Sequence, residues 1–219
     1  LSKVMTIRDA IVRLGIDEIT RLAMILSQKQ LYETKDTFIK NYRNLLWQHA
    51  LVCALSSQWA AKEAGFDELT QEVFFSSLMH DIGKLFLITV VEKIKTEMDV
   101  PFVPSKSVVN EIIKNQHTEQ GYKLLMKWNI PEKYCQVVRE HHSEKFDTGN
   151  IPLVILRLVN KTARKVGLSL EKENGDAVSV TAEASFLGFS EIKLAQLELQ
   201  IEDALKRVST HYNIAPPAR

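Results

Sequence analysis

The feature that most constrains this chain is its periodicity. Apolar residues recur at helical spacing from one end to the other, and no stretch alternates as a half-buried strand would. A chain patterned this way buries its apolar stripes by packing helix on helix. The expected fold class is therefore all-α, a multi-helix bundle.

The punctuation agrees. Thr6 with Asp9 three residues on forms a capping box, and Gly15 supplies a stop. A second helix is predicted over 17–32, and a third starts near Asp36, contains Trp47-Gln48-His49 and ends at Gly65. Thr70 is positioned to cap the next helix, which delivers His80-Asp81-Ile82-Gly83-Lys84, with Gly83 permitting a turn before a short helix over 85–95. Residues 99–107, with two prolines, form a break before a helix over 108–128. Pro131 and Pro152 suit first turns of helices, 169–176 reads as a loop, and Ser190 caps a final helix to about Ser209 before the chain frays through Pro216-Pro217. The predicted division is a small N-terminal helical portion, residues 1–35, packed against a helical domain over 36–219. In the last helix Ile192, Leu194, Leu197, Leu199, Ile201 and Leu205 are assigned to the core, with a homodimer contact as the alternative.

Composition narrows the function classes. With 28 basic against 27 acidic residues the net charge is +1, which gives no reason to expect nucleic acid or a membrane surface as partner. The two cysteines, Cys53 and Cys135, lie in predicted helices and outside any CxxC pair, so both read as reduced, buried thiols. No signal segment opens the chain, and the longest apolar run, 85–91, falls far short of the roughly 18 residues that cross a bilayer. The expected compartment is the cytoplasm.

Five of the six histidines continue apolar faces rather than polar ones. Leu45, His49, Val52 and Trp59 share one stripe; Val73, Ser77, His80 and Lys84 share a second; Ile113, His117 and Leu124 a third; Tyr134, Val138 and His141 a fourth. A lone histidine on an apolar face is usually a hydrogen-bonded core residue, and His211, near the chain end, is read that way or as exposed. Five inward histidines, His142 included, joined by Asp81 are another matter, because each ring nitrogen needs a partner. A divalent cation satisfies neutral imidazoles and a carboxylate together.

The order His49, His80-Asp81, His117, His141-His142 resembles the HD superfamily of metal-dependent phosphohydrolases and, within it, the HDOD domain of bacterial signalling proteins. Supporting segments are Thr6-Ile-Arg-Asp-Ala-Ile-Val-Arg-Leu-Gly15, His80-Asp-Ile-Gly-Lys-Leu85, the run from His117 to Pro131, and Leu187-Gly188-Phe189-Ser190. The resemblance implies an HD-like bundle in which His49, His80 and Asp81 hold one metal ion and Asp81 bridges to a second, held by His117, His141 and His142. The ion would be Fe, Mn, Ni, Zn or Mg. Lys84 matches the lysine that helps hold a phosphate in the sister HD-GYP group, with a half-exposed helix-start residue as the alternative. In an active enzyme Asp81 and Lys84 would be the catalytic pair. The resemblance also implies further helices ahead of the Thr6–Gly15 segment.

Three departures from the superfamily pattern bear on activity. Asn160 stands where a late-helix aspartate closes the first metal site, and an amide oxygen can coordinate but brings no charge. Leu45 lies one turn before His49, where trinuclear relatives carry a glutamate, and no Gly-Tyr-Pro signature follows His142. The expectation is a regulatory domain with a degenerate metal pocket, which transmits a signal without turnover by binding a metal, a signalling protein partner or a small phosphorylated ligand. The competing reading is a working phosphohydrolase acting on a nucleotide or another phosphoester.

Overall fold

The computed structural model describes residues 6–97, 105–169 and 181–215, and among these there is no β-strand. The helices are α1 (Ile7–Leu14), α2 (Ile16–Leu31), α3 (Thr37–Glu63), α4 (Thr70–Met79), α5 (Ile82–Glu97), α6 (Lys106–Lys127), α7 (Glu132–Glu140), α8 (Ile151–Lys165), α9 (Ala182–Phe186) and α10 (Glu191–Tyr212). The all-α class holds. The long α3 is the spine, flanked by α4, α5, α8 and α10, while α6 lies across α5 and carries α7 on its other side.

The capping box is present, with the Thr6 hydroxyl accepting from the Asp9 N–H and the Asp9 carboxylate accepting from the Thr6 N–H. Gly15 ends α1 at φ 83°, where an L side chain would be strained. Asp36 accepts from the Ile39 N–H at the start of α3, and Ser105, Asn150, Thr181 and Ser190 cap α6, α8, α9 and α10 in the same way. Thr70 does not cap. Its hydroxyl donates to the Asp67 carbonyl in a short 3₁₀ turn, Asp67–Leu69, that leads into α4. Pro131 occupies the cap position ahead of α7 rather than its first turn. The final helix runs on to Tyr212 and stops where Asn213 turns left-handed. The predicted 99–107 break and 169–176 loop fall mostly outside the described residues, as does Pro216-Pro217, although α6 already begins at Lys106.

The core gathers Trp47, Leu51, Phe74, Leu78, Ile88, Leu125, Ile155 and Leu158, all essentially without exposed surface. In α10 the buried stripe is Leu194, Leu197, Ile201, Ala204 and Val208, whereas Ile192 and Leu199, assigned to the core from sequence, face outward. The difference is one of phase. Positions 194, 197, 201, 204 and 208 keep a 3–4 spacing, from which 192 and 199 depart. Cys53 and Cys135 are free, buried thiols.

Gly83 does not form a turn. It lies in the first turn of α5, and a Cβ there would stand 1.9 Å from the His117 carbonyl oxygen and 2.7 Å from the Gly121 nitrogen. Glycine at 83 therefore lets the backbones of α5 and α6 touch, and this contact draws His117 toward Asp81. The stretch Asp67–Glu97 contains an 18-residue window of mean hydropathy 1.4, which by length and composition alone is apolar enough to cross a membrane. That window is longer than the 85–91 run picked out from sequence. It is 61% buried inside the bundle, as the core helices of a bundle are.

Candidate metal centre

Each buried imidazole arrives from a different element. His49 sits midway along α3, His80 is the C-cap of α4, His117 lies in α6, and His141 is the C-cap of α7, followed at once by His142. Asp81 stands in the two-residue step between α4 and α5. His49, His80, Asp81, His117 and His141 are each at most 4% exposed. His142 is exposed at the rim, which corrects the expectation that all five histidines are buried. His211 is exposed and remote in sequence from the group.

The second nitrogen of each buried ring is committed. His49 Nδ1 lies 2.7 Å from the Leu168 carbonyl oxygen, His80 Nδ1 2.7 Å from that of Ser77, His117 Nδ1 2.8 Å from that of Ile113, and His141 Nδ1 2.8 Å from that of Val138. A carbonyl only accepts, so each Nδ1 carries the proton and, in the neutral ring, each Nε2 presents a bare lone pair. Backbone carbonyls that fix the tautomer in this way are the usual support of metal-bound histidines.

Those lone pairs converge on one carboxylate. Asp81 Oδ2 is 3.3 Å from His80 Nε2 and 3.7 Å from His49 Nε2, while Oδ1 is 3.5 Å from His141 Nε2 and 3.8 Å from His117 Nε2. His49 Nε2 and His80 Nε2 are 3.2 Å apart. Two nitrogens bound at about 2.1 Å to one ion, at angles of roughly 90–110°, stand about 3.0–3.4 Å apart, so the spacings fit shared ions with little adjustment. Both Asp81 oxygens, His117 Nε2, His141 Nε2 and the Asn160 Oδ1 are buried without a hydrogen-bond partner. Lys84 Nζ is 2.8 Å from Asp81 Oδ2, an ion pair outside hydrogen-bonding geometry.

The ligand atoms fall into two sets, each within 4.8 Å: Asp81, His117, His141 and His142, and His49, Cys53 and His80. Cys53 lies one turn after His49 with its sulfur 3.7 Å from His49 Nε2. Burial, and secondarily Asp81, push its thiol far up, so it is a protonated neighbour rather than a thiolate. Burial lowers His49 and His117 to about 3 and His141 to about 4, against the pull of Asp81. Burial alone would raise the Asp81 carboxyl, but His80, Lys84 and His141 outweigh it and hold it well below the usual range. Near neutral pH His49, His117 and His141 thus present neutral imidazoles beside an ionised carboxylate, the donor state a divalent cation requires.

A cavity of about 410 Å³ opens above these atoms. Its lining includes His49, Asp81, Lys84, His117, His142 and Asn160, so every sequence-predicted site residue except the enclosed His80 and His141 faces it. Leu45, one turn before His49, forms part of its wall. Asn160, on α8 and 4% exposed, reaches the same space.

The HDOD domain family model matches residues 1–144. The chain belongs to the HDOD family. Its fold is that of an HDOD domain protein of unknown function from Geobacter sulfurreducens, with a TM-score of 0.71 at 18% identity over 95% of this chain and 75% of that one. A candidate signal transduction protein from Marinobacter aquaeolei VT8 aligns with a TM-score of 0.65 at 19% identity, covering 95% of this chain and 48% of that one. Among curated proteins, an uncharacterized protein of Treponema pallidum (strain Nichols) is 22% identical over 144 residues, and the match spans 27% of its length. The HDOD match covers the segments that deliver His49, His80, Asp81, His117, His141 and His142, whereas Asn160 lies beyond it.

Sequence reasoning passed over several contributors. The Leu168 carbonyl that fixes His49 carries no side-chain signal, and Cys53 was read only as a buried thiol although its spacing of four from His49 puts it on the same face. The Gly83–Gly121 contact went unread, because Gly83 was assigned to a turn and Gly121 carries no side-chain signal.

Proposed function

We propose that this HDOD chain is a signal-transduction module whose bundle encloses a divalent-cation pocket used for regulation rather than turnover. His49, His80 and Asp81, with the Asn160 amide oxygen, would hold one ion, and Asp81, His117, His141 and His142 a second. The observation that carries this reading is the convergence of bare Nε2 lone pairs on a buried carboxylate whose ion pair with Lys84 engages Oδ2 and leaves Oδ1, His117 Nε2 and His141 Nε2 without a donor. Buried acceptors facing acceptors cost several kcal/mol unless a cation lies among them. The signal would pass to a protein partner or be set by a small phosphorylated ligand entering the cavity.

Asn160 favours regulation over turnover. It brings a neutral oxygen where charge would hold the ion most firmly, and losing even supporting contacts of a metal ligand commonly costs 10–100-fold. A bound cation would supply Lewis acidity toward a phosphoryl oxygen. The phosphohydrolase reading draws its support from the cavity, whose lining adds Lys114 and Arg164 to Lys84. Metal analysis of protein purified without chelator, paired with phosphodiesterase and phosphatase assays, separates the two. Bound cation without turnover is expected. Turnover that disappears in His80→Ala would replace regulation by catalysis, and absence of cation under Mn, Fe, Ni, Zn and Mg would remove the pocket from the account.

A further inference from the structure

Outside the ligand set, a buried charge cluster joins α7, α8 and α9. Arg157, 5% exposed on α8, interrupts an otherwise apolar run over 153–159. Its Nη1 donates to the carbonyls of Glu140 (3.1 Å), His141 (3.2 Å) and Ser143 (2.7 Å), and its Nε to Glu183 Oε1 at 2.7 Å. Glu183, 1% exposed on α9, also accepts from Lys161 Nζ at 2.9 Å to each oxygen. The guanidinium lies 3.9 Å from the centroid of the Phe146 ring.

A buried ion pair is a weak source of stability, since apolar residues of similar size often serve as well. What Arg157 brings is geometry. The last carbonyls of a helix have no partners within it, and at the end of α7 those carbonyls belong to the turn that bears His141 and His142. The His141 ring is tied to that same turn through Val138. Its Nε2 position therefore follows the backbone that Arg157 holds, and an ångström of drift would exceed the tolerance of a ligand sphere.

We propose that Arg157 is a positioning residue for the metal centre, anchored by Glu183, that aims His141 and its neighbour His142 into the pocket. This rests on the cation reading above for its consequence, though not for its geometry. The test is Mn²⁺ titration by calorimetry of the wild-type chain and the variants Arg157→Met, Lys161→Met, His141→Ala and His141→Ala/Arg157→Met. Arg157→Met keeps Glu183 paired with Lys161 and is expected to weaken the ion held by Asp81, His117 and His141 by 10–100-fold. Lys161→Met leaves Arg157 in place and is expected to stay within about twofold of wild type. In the His141→Ala background the Arg157 change should add a clearly smaller loss, because part of its positioning acts through that imidazole.

Wild-type affinity in Arg157→Met, or an equal further loss in the His141→Ala background, overturns the proposal. Should Arg157→Met fail to fold, Arg157→Lys keeps the charge without the planar fork and should show the same selective loss. Should the wild-type chain bind no Mn²⁺, the cation reading fails by itself. Long-range ¹H–¹⁵N spectra of the imidazoles then decide the geometry: Arg157→Met is expected to shift the His141 ring and leave His49 in place, and an unshifted His141 ring refutes it.

Discussion

Three buried histidines give the cation-free protein a specific weakness to acid. His49 and His117 titrate at about 3 and His141 at about 4 in the fold, against about 6.5 in the unfolded chain. Because the folded values are depressed, the unfolded state binds these protons first, and stability falls as pH drops below about 6.5. Each group then contributes a slope of about 1.4 kcal/mol per pH unit. From pH 6.5 to 5 that is on the order of 2 kcal/mol per group and about 6 kcal/mol for the three, a large share of the 5–15 kcal/mol that holds a typical domain together. Asp81 does not act in this window, since its folded value lies below 3.8 and it is ionised in both states. Its contribution is present above the unfolded value and is lost only in stronger acid. Urea unfolding followed by circular dichroism in chelator, at pH 7, 6 and 5, is the assay. Between pH 7 and 5 the unfolding free energy from these midpoints should fall by about 6 kcal/mol, and His117→Gln should lower the slope by about one proton. A midpoint that is flat between pH 7 and 5 would refute the burial argument for these rings.

Other expectations are independent of acid. Gly83→Ala places a methyl against backbone rather than a yielding side chain, so it should cost about 3 kcal/mol or more by thermal unfolding. Gly121→Ala meets the buried Val138 Cγ1 at 2.7 Å and backbone only at 3.2 Å, against 1.9 Å at Gly83, and should cost less. Asn160→Asp supplies the missing charge, and by titration calorimetry it should raise cation affinity at least about 10-fold; the same variant, assayed on phosphoesters, tests whether the amide is what withholds turnover. Lys84→Ala leaves Asp81 without its ammonium partner and should tighten cation binding, measured in the same way.

Much of this was legible because helical patterning carries direction. His49, His80, His117 and His141 each continue an apolar stripe, and a stripe that is buried must bury its histidines with it, so their convergence follows from the bundle. Asn160, at helical spacing from Leu153, Leu156 and Ala163, reaches the pocket lining by the same logic. His142 misled, since adjacency to His141 says nothing about exposure at a helix end, where the phase of the stripe no longer governs. Gly83 misled differently: glycine signals either a turn or a close approach, and only the crossing of α5 over α6 decides between them. Arg157 was visible as a lone charge in an apolar run, but its partner Glu183 lies 26 residues away on α9, a short helix that periodicity does not announce.

The claim on which the rest depends is that the lone pairs gathered at Asp81 serve a divalent cation. Mn²⁺ titration of chelator-stripped wild-type protein against Asp81→Asn, at neutral pH, tests it most directly. One or two ions bound by the wild type and none above background by Asp81→Asn is the predicted result. Wild-type protein that takes up no ion, or an Asp81→Asn variant that binds as tightly as the wild type, would contradict it.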